Sequence, residues 1–289
     1  MTMSSSELSV SNRGFVSSTW LAEHLNDSTI ALLDARMLPP GETTRDINAE
    51  YRAGHLPGAV FFDIETLSDH NTELPHMLPR GDDFSRAMSK LGVSHQQHVV
   101  IYDEGNLFSA PRAWWMLHIF GIEKISILAG GLAGWKSQNL PLEQGNVERA
   151  PAVFEARLNE TAIRQRGDVL AISRDQSAQI VDARPAARFN GEVDEPRPGL
   201  HRGHIPGSLN VPWSELVADG TLKPNAELAT ILHKHGVNFS QPVVASCGSG
   251  VTACVVILAL HVLNVPNVTL YDGAWSDWGS RDDLPITLN

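Results

Sequence analysis

Leu33-Asp34-Ala35-Arg36 returns as Val181-Asp182-Ala183-Arg184, and Gly54-His55-Leu56-Pro57-Gly58 returns as Gly203-His204-Ile205-Pro206-Gly207. The offset is 148 residues from Asp34 to Asp182 and 149 from Gly54 to Gly203. Further along, Val99-Val100-Ile101-Tyr102-Asp103 aligns with Val243-Val244-Ala245-Ser246-Cys247, 144 residues on, and Gly130 and Trp135 align with Gly273 and Trp278, 143 residues on. Matches in one order at nearly one spacing mean a duplicated domain, and two copies are too few for a solenoid. The chain then divides into a polar lead-in over 1–16, a first domain over 17–136, a linker over 137–160 and a second domain over 161–289. The linker is placed where Pro141, Gly145 and Pro151 interrupt a polar stretch.

Within each copy, short β-branched runs read as strands: Ile30 to Leu33, Val99 to Tyr102 and Ile125 to Leu128, then Gln179 to Val181, Val243 to Ser246 and Val268 to Tyr271. They are continuously apolar rather than alternating, as in parallel strands covered on both faces. Helical patterns lie between them, such as Pro111 to Phe120 and Val251 to Leu263. The expected fold is α/β: two tandem domains, each a parallel sheet with helices on both faces. Ligands of such sheets bind beyond the carboxyl ends of the strands. That rule points to the residues after Ser246.

Composition sets outer limits. The 289 residues are 42% hydrophobic and 19% charged, enough apolar material for a core and too little charge for a disordered chain. A net charge of −11 repels nucleic acid and anionic membranes at long range, so neither is an expected partner, and any anionic ligand needs a local basic pocket. Two cysteines seven positions apart make no disulfide framework, which fits a reducing compartment such as the cytoplasm. The N-terminal stretch has no secretory pattern, and the longest apolar segment, Val251 to Leu263, falls short of the ~20 residues that span a bilayer.

The loop after Ser246 reads Cys247-Gly248-Ser249-Gly250-Val251-Thr252 and leads into an apolar helix. Strand, glycine-rich loop and helix N-terminus leave backbone N–H groups without internal partners, aimed into one anion-binding cavity. A cysteine at its mouth is stabilised as the thiolate by the helix dipole and the converging donors, which makes Cys247 a nucleophile. Gly248 and Gly250 permit the curl, while Ser249 and Thr252 can donate hydroxyls. Cys254, inside the helix and without flanking glycines, belongs to the core. The first copy carries Asp103 where the second carries Cys247, so it has no nucleophile there.

These residues resemble the rhodanese family of sulfurtransferases in its two-domain form, with a non-catalytic first domain. The resemblance spans about residues 17–283 and takes in Phe61-Phe62-Asp63-Ile64-Glu65, His76-Met77-Leu78-Pro79, Ser109-Ala110-Pro111-Arg112 and Arg188-Phe189 with Glu195-Pro196-Arg197. Within the family, Cys-Gly-Ser-Gly-Val-Thr resembles the loop of members that use 3-mercaptopyruvate, whereas thiosulfate users carry basic residues after the cysteine.

The resemblance implies that Cys247 takes sulfur from 3-mercaptopyruvate as a persulfide, releases pyruvate, and passes the sulfur to a thiol, such as that of a thioredoxin, or to cyanide, with no cofactor. Arg188 and Arg197 would hold the substrate carboxylate together with the loop residues Gly248, Gly250, Val251 and Thr252; a guanidinium fork suits that geometry better than lysine. His76 would join Ser249 in a Ser-His-acid relay across the domain cleft. Family members place an aspartate where Glu65 stands, with Asp63 two positions earlier, so the acid is one of these two.

Residues present in both copies, Asp34 and Asp182, Arg36 and Arg184, His55 and His204, serve the fold, since one copy has no chemistry. Arg184, Arg188, Arg197 and Arg202 fall within 19 residues, but Glu192, Asp194 and Glu195 interleave, and Arg184 and Arg202 read as structural or surface ion pairs. Cysteine phosphatases need an arginine six positions after the nucleophile, where this chain has Ala253. Thiosulfate:cyanide sulfur transfer is the nearer rival, and a sulfur carrier or redox-sensing module suits the first domain better than the whole. Twelve scattered histidines offer no metal site. Gly130-Gly131-Leu132-Ala133-Gly134 lacks the following helix and acidic residue of a dinucleotide loop.

Overall fold

The computed structural model describes residues 14–288. Most of the lead-in, residues 1–13, lies outside them.

The first domain holds β1 (Phe15–Val16), β2 (Ile30–Asp34), β3 (Val60–Phe61), β4 (His98–Tyr102) and β5 (Ile125–Leu128), joined in the order β1-β5-β4-β2-β3 with all pairs parallel. Its helices are α1 (Ser18–His24), α2 (Ile47–Ala53), α3 (Ile64–Leu67), α4 (Gly81–Lys90), α5 (Ala110–Ile119) and α6 (Gly131–Ser137). The second domain repeats the plan with β6 (Ile163–Arg164), β7 (Gln179–Asp182), β8 (Leu209–Asn210), β11 (Val243–Ser246) and β12 (Val268–Tyr271) in the order β6-β12-β11-β7-β8. It adds a small antiparallel hairpin, β9 (Val217–Ala218) with β10 (Thr221–Leu222). Its helices are α7 (Arg166–Asp175), α8 (Ala186–Phe189), α9 (Asn225–Lys234), α10 (Ala253–Val262) and α11 (Ala274–Trp278). Among the described residues no helix is long and apolar enough to cross a membrane.

The two repeated motifs meet in space. In each copy the arginine of Asp-Ala-Arg forks onto its own aspartate and donates to the carbonyl of the glycine that opens Gly-His-x-Pro-Gly: Arg36 to Asp34 and Gly54, Arg184 to Asp182 and Gly203. All four charged side chains are buried. A buried pair of this kind costs several kcal/mol when one partner is removed. The histidines that follow, His55 and His204, are buried with Nδ1 against the Tyr51 and Phe189 carbonyls.

Three details depart from the sequence reading. Phe15 and Val16 belong to the first sheet rather than to the lead-in; two residues are too short a run to show a strand pattern. Residues 137–160 are a strap laid on the first domain rather than a loose connector. Glu143 bridges to His55, Ala152 N–H donates to Ser89, and Arg157 and Asn159 N–H donate to Phe120 and Ile119. Phe154 is buried there against Phe84. A helix, α6, does follow Gly130. Its first turn lies so close to the loop after β4 that a Cβ on Gly131 would come within 2.6 Å of the Gly105 nitrogen.

One apolar cluster runs through both domains because α5 and α10, each almost wholly buried, pack on one another. These two helices follow the loops at the ends of β4 and β11. Their packing sets the two loops on the same side of the molecule, at the cleft between the domains.

Candidate active site

Cys247 sits at the carboxyl end of β11 as the central strands require, buried in its surroundings but lining a cavity of about 230 Å³. The loop is pinned from behind: the Cys247 carbonyl accepts from Trp275 N–H at 2.9 Å, and the Gly248 carbonyl accepts from Ser276 N–H and Oγ at 2.9 and 2.7 Å. Among the described residues, the amides of 248–252 have no partner within the protein. Gly250 has φ of +77°, and a Cβ there would meet the Asp272 carbonyl at 3.0 Å and Arg112 Nη1 at 3.2 Å, so any other side chain would be both strained and crowded. Cys254 is fully buried, its Sγ donating to the Gly250 carbonyl at 3.3 Å, and burial pushes its thiol up to about 12. It stays protonated at neutral pH.

The cavity collects Cys247, Gly248, Ser249, Val251 and Thr252 with Arg188, Arg197 and His76, and among the described residues its wall contains no carboxylate. Arg188 reaches from α8 over the loop: a Cβ on Gly248 would lie 2.9 Å from its Nη2. Its position is fixed by Glu195, which takes both Nε and Nη2, while the same carboxylate accepts from buried Arg184. Arg184 also lies over the Trp275 ring and is structural. Arg202 pairs with exposed Asp194 on the surface. Arg197 is half-buried with no hydrogen-bonded acid; burial lowers its pKa from the usual arginine value, against the pull of Glu65 and Cys247.

His76 comes from the first domain and is buried at the cleft. Its Nδ1 lies 2.8 Å from Ser249 Oγ and its Nε2 2.7 Å from Glu65 Oε1, which makes a continuous Ser249–His76–Glu65 chain. The hydrogen bond to His76, with the charges of His76 and Arg197 behind it, holds the Glu65 carboxyl below the usual carboxylate range. Asp63 is not part of the chain. Its carboxylate caps α3, accepting from Glu65 N–H and Thr66 Oγ1, whereas His76 Nε2 is bonded to Glu65.

The residue that joins these parts stands in the family-like segment Ser109-Ala110-Pro111-Arg112, from which no role could be read. Arg112, in the first turn of α5, is fully buried and crosses into the second domain. It donates to Asp272 Oδ1 at 2.8 Å, to the Gly250 carbonyl at 3.3 Å and to the His76 carbonyl at 2.6 Å. Asp272 Oδ2 in turn accepts from Leu78 N–H at 2.7 Å. One guanidinium thus ties His76 to the loop that carries Cys247, and supports His76 at φ +60°, a region a side-chain-bearing residue seldom occupies. Asp272 stands where the first copy has Ala129. A charge present in one copy only was the available signal.

Among the described residues no group of three or more His, Cys, Asp or Glu could hold a metal ion. The chemistry open to the site is that of a nucleophilic sulfur beside unspent amides and two cations, with a proton path leading away through His76.

The rhodanese-like domain family matches residues 17–138 and again 166–281. A 3-mercaptopyruvate sulfurtransferase of Escherichia coli K12 is 60% identical over 277 residues, which cover 96% of this chain and 99% of the relative. A thiosulfate sulfurtransferase of Rattus norvegicus is 40% identical over 277 residues, 93% of each chain. The crystal structure of an Escherichia coli 3-mercaptopyruvate sulfurtransferase superposes with a TM-score of 0.85 at 59% identity, covering 90% of this chain and 98% of that one.

Proposed function

This chain belongs to the rhodanese family, its activity is that of a 3-mercaptopyruvate sulfurtransferase, and we propose that the sulfur passes through a persulfide on Cys247. The observation that carries the proposal is the pairing of Cys247 with Arg188 and Arg197 in one carboxylate-free cavity. A 2-oxo acid brought there sets its carboxylate and carbonyl on the guanidinium groups and its sulfur against Cys247. The Cys247 thiolate attacks that sulfur, the carbon–sulfur bond breaks, and its electron pair passes into the enolate of pyruvate. The proton of the donor thiol reaches the enolate carbon through Ser249 and His76, with Glu65 steadying the charge on the imidazole. The outer sulfur is left as an anion that the amides of 248–252 can hold. In the second half-reaction an acceptor, a small thiol, a thioredoxin or cyanide, takes the outer sulfur and returns Cys247 as thiol.

In this scheme the first domain, about residues 17–136, has no nucleophile of its own but supplies His76 and Glu65, and the second, about 161–289, supplies the nucleophile. A site that must keep a free thiol suits the reducing cytoplasm. Mass spectrometry after incubation with mercaptopyruvate tests the scheme: one added sulfur on the peptide holding Cys247, with one pyruvate per chain. Sulfur on Cys254, or persulfide without pyruvate as a mere carrier would give, overturns it. Thiosulfate loading Cys247 faster than mercaptopyruvate would transfer the donor role to thiosulfate.

A further inference from the structure

A second cavity, of about 320 Å³, adjoins the first and shares with it Met37, Pro39, Pro40, His76 and Arg197. Its polarity is opposite. The inner cavity has two arginines and no carboxylate, whereas the outer one is lined by Glu42, Asp63 and Glu65. Of its two arginines, Arg36 is cancelled by its buried fork onto Asp34 and only Arg197, on the shared wall, is without a bonded acid. Glu65, whose carboxyl is held down by the His76 hydrogen bond, is ionised at neutral pH. Glu42 is held likewise by the hydroxyl and N–H of Thr44.

Two cavities of opposite charge on either side of the relay suit two reactants of opposite charge. We propose that the outer cavity is the approach for the sulfur acceptor and favours a small thiol bearing an ammonium group. The inference rests on the persulfide reading above. The donor is an anion and is drawn to the inner cavity. An aminothiol is drawn to the acidic outer one, which brings its sulfur to the shared wall beside His76. Its thiol proton passes to the Ser249–His76–Glu65 chain. The acceptor sulfur then bonds to the outer sulfur of the persulfide, the bond between that sulfur and Cys247 Sγ breaks, and the electron pair and one proton end on Cys247. No oxidant or reductant is required. A single favourable charge contact at a solvent-open site is a matter of several-fold in rate and falls with salt.

The test uses full-length enzyme loaded with sulfur from mercaptopyruvate, freed of pyruvate and mixed rapidly with cysteamine, 2-mercaptoethanol or 3-mercaptopropionate. Discharge constants are compared per thiolate, and the pyruvate burst of loading is recorded for every variant. The expected order is cysteamine over 2-mercaptoethanol over 3-mercaptopropionate, with about 5-fold at each step, compressed at ~1 M salt. Glu42→Lys should bring the cationic and anionic thiols to parity or reverse them. Asp63→Asn, which keeps an oxygen to cap α3 while removing the charge, should narrow the gap in the same direction. Equal constants for the three thiols, or an order untouched by both substitutions, overturns the proposal. An anionic thiol reacting fastest would show the acceptor entering by the donor's cavity and also overturns it. Failure to load, with no pyruvate burst, instead overturns the persulfide reading and this inference with it.

Discussion

The loop at the end of β4 and the loop at the end of β11 are the same piece of fold put to opposite uses. In the first domain the loop answers its own amides: Asp103 Oδ1 accepts from Gly105 N–H at 2.9 Å, and Oδ2 accepts from Ser109 and Ala110 N–H at 3.1 Å. In the second, the residue at that position is Cys247, and among the described residues the amides of 248–252 have no hydrogen-bond partner. A strand, tight loop and buried helix create an anion cradle wherever they occur. What differs is whether a side chain fills it. The first domain supplies His76 to the wall of the Cys247 cavity, with Glu65 and Arg112 bonded to it from behind, while among the described residues no side chain answers the amides of the second loop.

The sharpest break of that comparison is at the nucleophile. Cys247→Ser should lower sulfur transfer by at least about 1,000-fold with little change in melting temperature, since it removes a reacting atom and not core volume. Cys254→Ser should stay within a few-fold of wild type in activity. Alkylation of the native enzyme near neutral pH should mark Cys247 alone, because Cys254, pushed up to about 12, has almost no thiolate there. A dead Cys254 variant beside an active Cys247 variant would exchange the two assignments.

The open cradle needs cations that the filled one does not. Arg188→Lys and Arg197→Lys should each reduce kcat/KM for mercaptopyruvate by about 10-fold or more, because lysine keeps the charge but loses the fork. At position 188 lysine also gives up the two-pronged hold of Glu195. The rate of Cys247 with a neutral thiol reagent should barely change. Wild-type kinetics in both variants would remove the arginines from substrate binding.

Much of this was legible in the sequence because duplication supplies an internal control. The Asp-Ala-Arg and Gly-His-x-Pro-Gly units recur, and in space they are one latch, so their repetition separated fold from function. Cys247 against Asp103 marked the candidate nucleophile. His76 and Glu65 were reached by family resemblance, and only the geometry of the cleft distinguishes Glu65 from the capping Asp63. Arg112 was out of reach from its own segment: it lies in an apolar helix, and its partners Gly250 and Asp272 are 138 and 160 residues away. The strap over 137–160 escaped for another reason. Its bonds to the first domain are largely made by main-chain groups, which leave no mark in side-chain composition.

Donor choice tests how far the loop alone decides the difference. Replacing Gly248-Ser249 by Arg-Lys should shift the ratio of thiosulfate to mercaptopyruvate efficiency by about 10-fold toward thiosulfate, the scale of one or two charge-assisted contacts. A side chain at position 248 meets the end of Arg188 at 2.9 Å, so that guanidinium must swing aside and mercaptopyruvate loses a partner as thiosulfate gains one. Equal loss of both activities would show only a damaged loop, and an unchanged ratio would assign specificity to Arg188 and Arg197.

The smallest effect on turnover is expected at Asp103. Its carboxylate is buried, as are Ser109 and Ala110, two of the three residues whose amides it answers. Asp103→Ala leaves buried donors unanswered, each worth about 1–3 kcal/mol when stranded, so a loss of about 3 kcal/mol in stability is expected. At this chain length that is a fall of several degrees in melting temperature. Asp103→Asn, which retains an acceptor oxygen, should fall between the variant and wild type. Turnover below the melting transition should remain within about 2-fold in both, because position 103 does not line either cavity. The matching change across the cleft, Cys247→Ala, should do the reverse: activity gone and melting temperature nearly kept. An Asp103→Ala protein as stable as wild type would mean that the first cradle is not held by its own carboxylate, and the contrast between a filled loop and an open one would fail.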